Sequence, residues 1–239
     1  MTQSTPAKPL PVYLQIAELL ARQIKAGHWR QGERLPTEAE LAQSLEVAVG
    51  TLRKSLALLS EQGVLERIQG SGTYVKQVAG KQHIYELFRL ELATGPGLPT
   101  AHIVDVKRMP RPRHVPALGS ADSAQVWRVR RLRFLSQVPV ALEEIWFEGP
   151  GLNELTAGDL GDSMYLFYQE RFGVWIARVE DRLSAAPAPE WACAPLAMSA
   201  GASAGFIERL SWTTNNTLSE YSQTWFDPAV CRYTSRLSQ

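Results

Sequence analysis

The order of helix and turn signals near the N-terminus constrains the fold more than any other feature of the chain. Apolar residues recur at helical spacing over residues 12–24, and Pro11 precedes them at a position where a helix tolerates proline. Gly27 predicts the end of this first helix. A short second helix is predicted after Thr37, because Thr37 can cap it while Glu40 reaches back to complete a capping box.

A third helix is predicted over residues 49–61, with leucines on one side and Thr51, Arg53 and Lys54 exposed near its start. Two short strands follow, joined by residues 69–72, whose small side chains permit a tight turn and a close backbone approach. Three helices followed by such a hairpin predict a winged helix-turn-helix, in which the third helix enters a groove of DNA.

Four ordered blocks in this region resemble the GntR family of bacterial transcription regulators. The blocks are PVYLQI at residues 11–16, GERLPTE at 32–38, GTLRKSL at 50–56 and QGSGTYV at 69–75. The resemblance implies that the third helix lies in the major groove and that the wing tip reaches the minor groove. The chemistry agrees, since arginine pairs with guanine through two hydrogen bonds and a glycine tip fits a narrow groove. The predicted DNA-binding residues are Thr51, Arg53, Lys54, Gln69 and Gly70.

The alternative interpretation of these residues is purely structural. A single helix with Arg53 and Lys54 on one side is more typical of a solvated face, and short motifs match by chance. The four blocks in family order favour DNA binding.

This chain departs from the family pattern at three places. Ala39 stands where an arginine is common after the glutamate of the second helix, and Ala48 and Val49 stand where a Ser-Arg pair commonly opens the third helix. Two groove-facing cations are therefore expected to be missing. Ala48 also lacks a capping side chain, a loss of about 1 kcal/mol in typical hosts. Glu46 replaces a common turn glycine, which predicts mild backbone strain.

Length and patterning predict two domains and a linker. A chain of 239 residues, of which 45% are hydrophobic, is long enough for two cores. We predict a DNA-binding domain at residues 1–76, a linker at 77–90, and an effector-binding and dimerisation domain at 91–239. The first ten residues, with Pro6 and Pro9, are expected to form a frayed arm.

Composition argues against several classes of protein. The formal net charge is only +1, so charge alone does not indicate DNA binding. The apolar runs are too short for a membrane span and no signal peptide is recognised, which predicts a cytoplasmic protein with Cys193 and Cys231 as free thiols. No metal site is predicted, because the sequence has neither a CxxC pair nor a His-rich cluster. No cofactor is predicted either.

Strand signals dominate the second domain. Strands are predicted over residues 103–109, 124–135, 138–148, 174–185, 205–214 and 218–227, and helices near 163–172 and 189–198. A turn at residues 213–217 predicts a hairpin between the last two strands. The fold class is therefore α+β, with an antiparallel sheet in the second domain. The order and length of these elements resemble the UTRA effector domain of the HutC subfamily of GntR regulators, which has a chorismate-lyase-like fold.

The UTRA resemblance implies a small-ligand site, and the strand pattern supports one. Arginines at positions 131 and 133 alternate onto an otherwise apolar face, as does the glutamate at 143, and charges on such faces need a partner or a ligand. Glu220 is predicted to share a face with Leu218 and Phe226. The predicted effector-binding residues are Arg131, Arg133, Glu143, Ser163 and Glu220.

A structural alternative remains for this site as well. Arg131 and Glu143 lie on adjacent predicted strands and would also form a cross-strand ion pair, while Ser163 would also serve only as a helix cap. With the family resemblance, a ligand pocket is favoured. Because a guanidinium matches an oxyanion, the expected effector is a phosphorylated sugar or a carboxylate with hydroxyl or amine donors.

The predicted function is a transcription regulator, a repressor that binds a near-palindromic DNA operator as a homodimer and responds to that small anionic effector. An alternative of another class is a chorismate-lyase-like enzyme fused to a DNA-binding module. Fold resemblance does not imply activity, and the sequence shows neither a Gly-x-Ser-x-Gly nor a His-Glu-x-x-His motif. We therefore do not expect an enzyme.

Overall fold

A computed structural model of the chain describes residues 4–25, 28–76, 88–95, 97–119 and 124–235, and these form two compact units. The smaller unit contains Leu10–Arg89 and residues from Tyr233 onward, and the larger unit contains Met1–Pro9 and Leu90–Arg232. The elements in chain order are β1 (Thr5–Pro6), α1 (Val12–Lys25), α2 (Glu38–Ser44), α3 (Val49–Glu61), β2 (Leu65–Ile68), β3 (Gly72–Val75), β4 (Leu90–Leu92), β5 (Pro99–Pro110), β6 (Gln125–Leu135), β7 (Val138–Phe147), α4 (Met164–Phe172), β8 (Ile176–Pro187), α5 (Glu190–Cys193), β9 (Ser203–Thr213), β10 (Leu218–Phe226) and β11 (Cys231–Tyr233).

The smaller unit is a winged helix-turn-helix, as predicted. Helix α1 packs against α3 through buried apolar residues that include Ile16, Leu52 and Leu59. A partly buried hydrogen bond joins the same two helices, because Ser55 Oγ donates to the carbonyl of Tyr13 at 2.8 Å. Strands β2 and β3 then form the antiparallel wing. The helix stop predicted at Gly27 lies outside the described residues.

The starts of α2 and α3, and the turn between the two helices, have the predicted features. Helix α2 begins with the capping box, in which Thr37 Oγ1 accepts from the amide of Glu40 at 3.3 Å and Glu40 Oε2 accepts from the amide of Thr37 at 2.9 Å. Within the described residues, no side chain caps the start of α3 at Ala48. Glu46 has a φ of 53°, so the position where the sequence lacks the common glycine does adopt the left-handed conformation.

The larger unit is built on a seven-stranded antiparallel sheet with the order β1-β5-β6-β7-β10-β9-β8. Its long strands confirm the predicted α+β class. Strands β4 and β11 form a separate two-stranded sheet that the periodicity did not predict. The second predicted helix is much shorter than expected, since α5 covers only Glu190–Cys193.

The two faces of this sheet differ in chemistry. One face, here called the polar face, carries Arg131 directly opposite Glu143, which in turn lies opposite Thr224. Helix α4 covers the polar face, where Phe167 packs edge-on against Phe147. The opposite face, here called the apolar face, buries mainly apolar side chains, although it also carries the Arg130–Glu144 ion pair, and it is covered in part by α5 and the segment after it. Its buried members include Leu132, Leu142, Trp146, Tyr221 and Trp225.

The N-terminal residues do not form the frayed arm that their prolines suggested. Strand β1 pairs with the edge strand β5, with Thr5 opposite Ile103. The chain then contacts the segment before α4, where the amide of Lys8 donates a hydrogen bond to the carbonyl of Leu160 at 2.9 Å. Residues 4–9 therefore cluster with the larger unit and not with the helices that follow them. Residues 77–87, most of the predicted linker, lie outside the described residues.

The structure also describes the two cysteines, the length of the helices and the grouping of metal-ligating side chains. Cys193 and Cys231 are both buried and free in this part of the chain. Every described helix is too short or too polar to cross a bilayer. Over the same residues, no group of three or more His, Cys, Asp or Glu side chains is placed to hold a metal ion.

Candidate functional site

The predicted major-groove residues lie together on the first turns of α3. Arg53 and Lys54 are exposed and Thr51 is half-buried, whereas Leu52 and Leu56 face the core of the unit. The helix thus presents a polar edge whose position is set by its buried leucines. This is the geometry of a helix that packs on one side and reads a groove on the other.

The predicted minor-groove residues lie at the tip of the wing. Strands β2 and β3 pair from Leu65 opposite Val75 to Ile68 opposite Gly72, so the turn between them carries Gln69 and Gly70. Both tip residues are exposed, and Gly70 has a φ of 74°, which favours glycine.

A carboxylate outside the predicted DNA-binding set, that of Glu38, links α3 to the wing. Glu38 Oε2 accepts a hydrogen bond from Arg53 Nε at 2.6 Å, and Glu38 Oε1 contacts Arg67 Nη2. The hydrogen bond from Arg53, aided by the charge of Arg67, lowers the pKa of Glu38 from its ordinary value, although partial burial opposes the shift. Sequence spacing could not predict this cluster, because Arg53 and Arg67 are 15 and 29 residues from Glu38 in the chain.

A cleft of about 540 Å³ lies beside this cluster, between the start of α2 and the wing. Arg34 and Arg67 are among the residues that line it. Arg34 lies across Gly72, where the position of an added Cβ would be only 2.7 Å from Arg34 Nε. The glycine, whose φ is 138°, therefore permits the close approach of that guanidinium to the wing.

In the larger unit, the predicted effector residues of β6 and β7 form one buried cluster. Arg131 Nε donates to Glu143 Oε2 at 2.5 Å, and Arg133 Nε lies 3.9 Å from the same oxygen. Both guanidiniums also donate to the carbonyl of Asp162, at 3.3 Å from Arg131 Nη1 and 2.7 Å from Arg133 Nη1. The cross-strand ion pair that the sequence left open is thus present, with a second arginine beside it.

The start of α4 lies next to this cluster. Ser163 is the N-cap of α4, and its Oγ accepts from the amide of Leu166 at 3.3 Å. The preceding residue, Asp162, is buried and its carboxylate accepts from the amide of Ala101 at 2.8 Å. The arginines therefore hold the backbone just before a helix N-terminus, where partial positive charge is concentrated.

Glu220 is buried under α4, as its predicted inward position requires. Tyr168 Oη donates to Glu220 Oε2 at 2.6 Å, and Ser211 Oγ donates to Glu220 Oε1 at 3.2 Å. Tyr165 Oη and Ser211 Oγ are in turn hydrogen-bonded at 3.1 Å. Tyr168, Tyr165 and Ser211 were not among the predicted site residues, and the i, i+3 spacing of the two tyrosines was the available signal.

Leu218 does not share the face of Glu220, contrary to expectation. A β-bulge lies between Leu218 and Glu220, so strict alternation fails there. Leu218 instead packs on the apolar face with Trp146 and Tyr221. Alternation from Glu220 onward is regular and keeps Ser222 and Thr224 on the polar face.

The two carboxylates of the cluster have opposite pKa shifts. Burial alone would raise the pKa of Glu143, but the charges of Arg131 and Arg133 outweigh it and the pKa is lowered. Burial dominates at Glu220 and raises its pKa, although the hydrogen bond from Tyr168 opposes the shift. The site thus has a firmly ionised acceptor at one end and a carboxyl group that protonates more readily at the other.

The sequence matches the models of two protein families. The model described as bacterial regulatory proteins, gntR family, matches residues 12–75, and the UTRA domain matches residues 97–230, more than half of the chain. The chain belongs to the GntR family. Its UTRA domain places it with the HutC-type regulators of that family, as the resemblance implied.

Relatives and a solved structure agree with this assignment. The chain is 46% identical over 228 residues to the HTH-type transcriptional regulator SmoD of Agrobacterium fabrum, covering 95% of this chain and 97% of that protein. It is 33% identical over 180 residues to the mannosyl-D-glycerate transport/metabolism system repressor MngR of Escherichia coli, covering 72% and 73% of the two chains. The crystal structure of YydK from Bacillus subtilis has the same fold, with a TM-score of 0.53, 22% identity and coverage of 95% and 99%.

This GntR protein is a DNA-binding transcription regulator. The relatives reported above are transcription regulators and not enzymes, and they match across both units of the chain. The chorismate-lyase-like resemblance of the second domain therefore concerns its fold and not its activity.

Proposed function

We propose that this GntR regulator is a cytoplasmic repressor that binds a near-palindromic operator as a homodimer and changes its DNA affinity when a small anionic metabolite binds on the polar face. The observation that carries the proposal is the buried cluster of Arg131, Arg133, Glu143 and Glu220 beside the capped start of α4. A ligand alters such an equilibrium only through different affinities for the two states.

The two guanidiniums and the helix start are the groups of the cluster that can bind an anion. Two buried guanidiniums share the Glu143 carboxylate, and Arg131 also interacts with the charge of Glu220. The carboxylate of Asp162 accepts from the backbone of β5. The N-terminus of α4 adds partial positive charge on the same side. A phosphate or carboxylate would bind both guanidiniums and the helix start, since arginine donors match planar oxyanions.

The other end of the cluster favours hydroxyl groups. Tyr168 and Ser211 offer hydroxyl groups that donate and accept hydrogen bonds, and Glu220 offers carboxylate oxygens that accept them. The MngR relative is named for mannosyl-D-glycerate, which combines a carboxylate with sugar hydroxyls. That name supports the same ligand class for this chain, an anionic sugar derivative.

On the DNA side, we propose that Thr51, Arg53 and Lys54 enter the major groove and that Gln69 and Gly70 reach the minor groove. The support is that four of these residues are exposed, and Thr51 is half-buried, on adjoining features of one unit, α3 and the wing. One small module buries too little DNA surface for tight and specific binding. We therefore expect a homodimer, which presents two such modules to the operator. Sedimentation of the full chain as a monomer at micromolar concentration would contradict the homodimer.

A thermal-shift screen tests the effector site. The panel contains mannosyl-D-glycerate, D-glycerate, glucose 6-phosphate and neutral mannose. A specific ligand at 100 times its Kd stabilises the folded state by about 2.7 kcal/mol, which a melting curve detects. We expect an anionic sugar derivative to raise the Tm of the parent and to change its DNA affinity, and we expect mannose to do neither.

Two arginine variants then locate the site. Arg133→Ala should abolish the response to the active compound while DNA binding without it persists. Arg130→Ala is the matched control, because Arg130 lies on the same strand, faces the other side of the sheet and pairs with Glu144 at 2.5 Å. A folded Arg133→Ala protein that responds normally would overturn the assignment of the effector site to the polar face.

A further inference from the structure

We propose that Arg67 on wing strand β2 is a further DNA-contacting residue, which binds a backbone phosphate, and that Glu38 positions both Arg67 and Arg53 for their contacts. The inference rests on the docking of α3 and the wing proposed above. Neither Arg67 nor Glu38 belongs to the DNA-binding set predicted from the sequence.

The geometry places one carboxylate between two parts of the DNA-binding surface. Glu38 stands at the start of α2, and its two oxygens contact one arginine from α3 and one from the wing. The arginine side chains remain 63% exposed at Arg53 and 53% exposed at Arg67. The triad therefore lies on the surface and carries one net positive charge when all three groups are ionised.

Folding stability does not account for this arrangement. Exposed ion pairs contribute little to stability, since water and salt screen them and two long side chains lose rotamer freedom. Their effect here is to orient two flexible guanidiniums before DNA arrives, which lowers the entropy lost on binding.

The hydrogen-bonding capacity of both arginines exceeds what Glu38 uses. Each guanidinium has five N–H donors. Arg53 contacts Glu38 through Nε and Arg67 contacts it through Nη2, so other donors of each group are not engaged in this cluster. Arg53, on the groove-reading helix, can form a two-hydrogen-bond contact with a base.

Arg67 is placed differently and suits a phosphate. It lies on β2, one residue before Ile68 at the end of that strand, and it lines the cleft that Arg34 also lines. Two guanidiniums and the Glu38 carboxylate line this cleft, which leaves a net positive charge that attracts an anion. Most protein contacts to DNA of this kind go to the phosphate backbone. Arg67 is therefore expected to strengthen binding to any duplex, whereas Arg53 contributes to sequence choice.

The test measures the affinity of the full-length protein for two duplexes over a range of salt concentrations. One duplex is selected by the parent protein from a random pool, and the other has the same composition in scrambled order. Arg67→Ala should weaken binding to both by the same factor and reduce the slope of log K against log salt by about 0.9. Between about 50 and about 200 mM salt, the ratio of parent to variant affinity should fall about 3.5-fold.

Three further variants separate the roles. Arg182→Ala, which removes an exposed arginine paired with Glu180 at 2.8 Å in the larger unit, should leave slope and affinity unchanged. Arg67→Lys should keep the parent slope, because the charge remains. Glu38→Gln should keep or raise affinity for the scrambled duplex and reduce the preference for the selected one, since both arginines keep their charge but lose their anchor.

The outcomes distinguish this inference from the docking on which it rests. If Arg67→Ala keeps the parent slope while Arg53→Ala loses the preference for the selected duplex, Arg67 is only a structural partner of Glu38 and the inference is wrong. If Arg53→Ala and Arg67→Ala both bind like the parent, the proposed docking of α3 and the wing is wrong.

Discussion

Each unit of this GntR regulator contains one glutamate that holds two arginines, and the two clusters differ in their exposure to solvent. In the DNA-binding unit, the side chain of Glu38 is 25% exposed and both of its arginines are more than half exposed. In the UTRA domain, the side chains of Glu143, Arg131 and Arg133 are 12%, 9% and 1% exposed. The same ionic chemistry therefore occurs at a solvent-exposed surface and in an interior where the charges must stay paired.

The environment decides what each cluster can do. Charges at the surface are screened and form ion pairs of little net energy, so a DNA phosphate can compete for them. Buried charges cannot be left unpaired without a large cost, so a ligand that enters must replace the interactions it breaks. The following predictions test whether exposure is the property that separates the two clusters.

The largest expected effect is the loss of stability on removing the buried carboxylate. Glu143→Ala leaves two guanidiniums without their shared anion, and breaking a buried pair in this way typically costs about 3–5 kcal/mol. Denaturant unfolding of the full chain measures this change. Glu180→Ala, which removes the carboxylate of an exposed pair in the same unit, is the control and should cost less than about 1 kcal/mol. Equal losses in the two variants would show that burial does not separate the clusters.

The next effect concerns DNA affinity. Arg53→Ala should weaken binding to the selected duplex by about 1–3 kcal/mol, because one two-hydrogen-bond base contact is worth that much. The thermal melt should stay close to that of the parent, since the buried leucines of α3 are untouched. Gel shifts with the selected and scrambled duplexes measure the loss. An unchanged preference for the selected duplex would contradict base recognition by α3.

The pH dependence of stability should differ in sign between the two buried carboxylates. The pKa of Glu143 is lowered in the folded state, so its stabilising contribution is present above the ordinary value of about 4.3 and is lost as the pH falls through the lower folded value. The pKa of Glu220 is raised, so its contribution is present below about 4.3 and is lost as the pH rises through the higher folded value.

Two amide variants test those signs by unfolding at a series of pH values. Glu143→Gln should flatten the loss of stability in acid, and Glu220→Gln should flatten the loss that sets in above about 4.3. Identical profiles for the two variants would contradict the opposite environments of these carboxylates.

Local patterns predicted the fold well where a single segment determines its own structure. The apolar spacing of α1, the capping box at Thr37 and the long strands all appear as expected. The alternation of charges also predicted which side chains of β6 and β7 would meet, because Arg131 and Glu143 are opposite each other in the register. Whether the five predicted effector residues bind a ligand stays a prediction.

The features that the sequence did not predict depend on the register between distant segments. The meeting of Glu38 with Arg67 requires the wing to fold back beside α2, and the pairing of β1 with β5 uses backbone groups that leave no side-chain pattern. The bulge before Glu220 shifts Leu218 to the other face, although the local alternation looks unbroken. Contacts, strand pairings and bulges of this kind are determined by tertiary packing, and the apolar periodicity of one segment does not predict them.

The smallest expected effect completes the comparison of the two clusters. Glu38→Ala should change the free energy of unfolding by less than about 1 kcal/mol, because its partners stay solvated when the carboxylate is removed. High salt should reduce even that difference, since the Debye length falls to about 3 Å at about 1 M ionic strength. Denaturant unfolding of this variant and of Glu143→Ala, each at low and high salt, measures the contrast directly. A Glu38→Ala loss as large as that of Glu143→Ala, and equally resistant to salt, would mean that the exposed triad is a structural element of the DNA-binding unit and not a surface prepared for DNA.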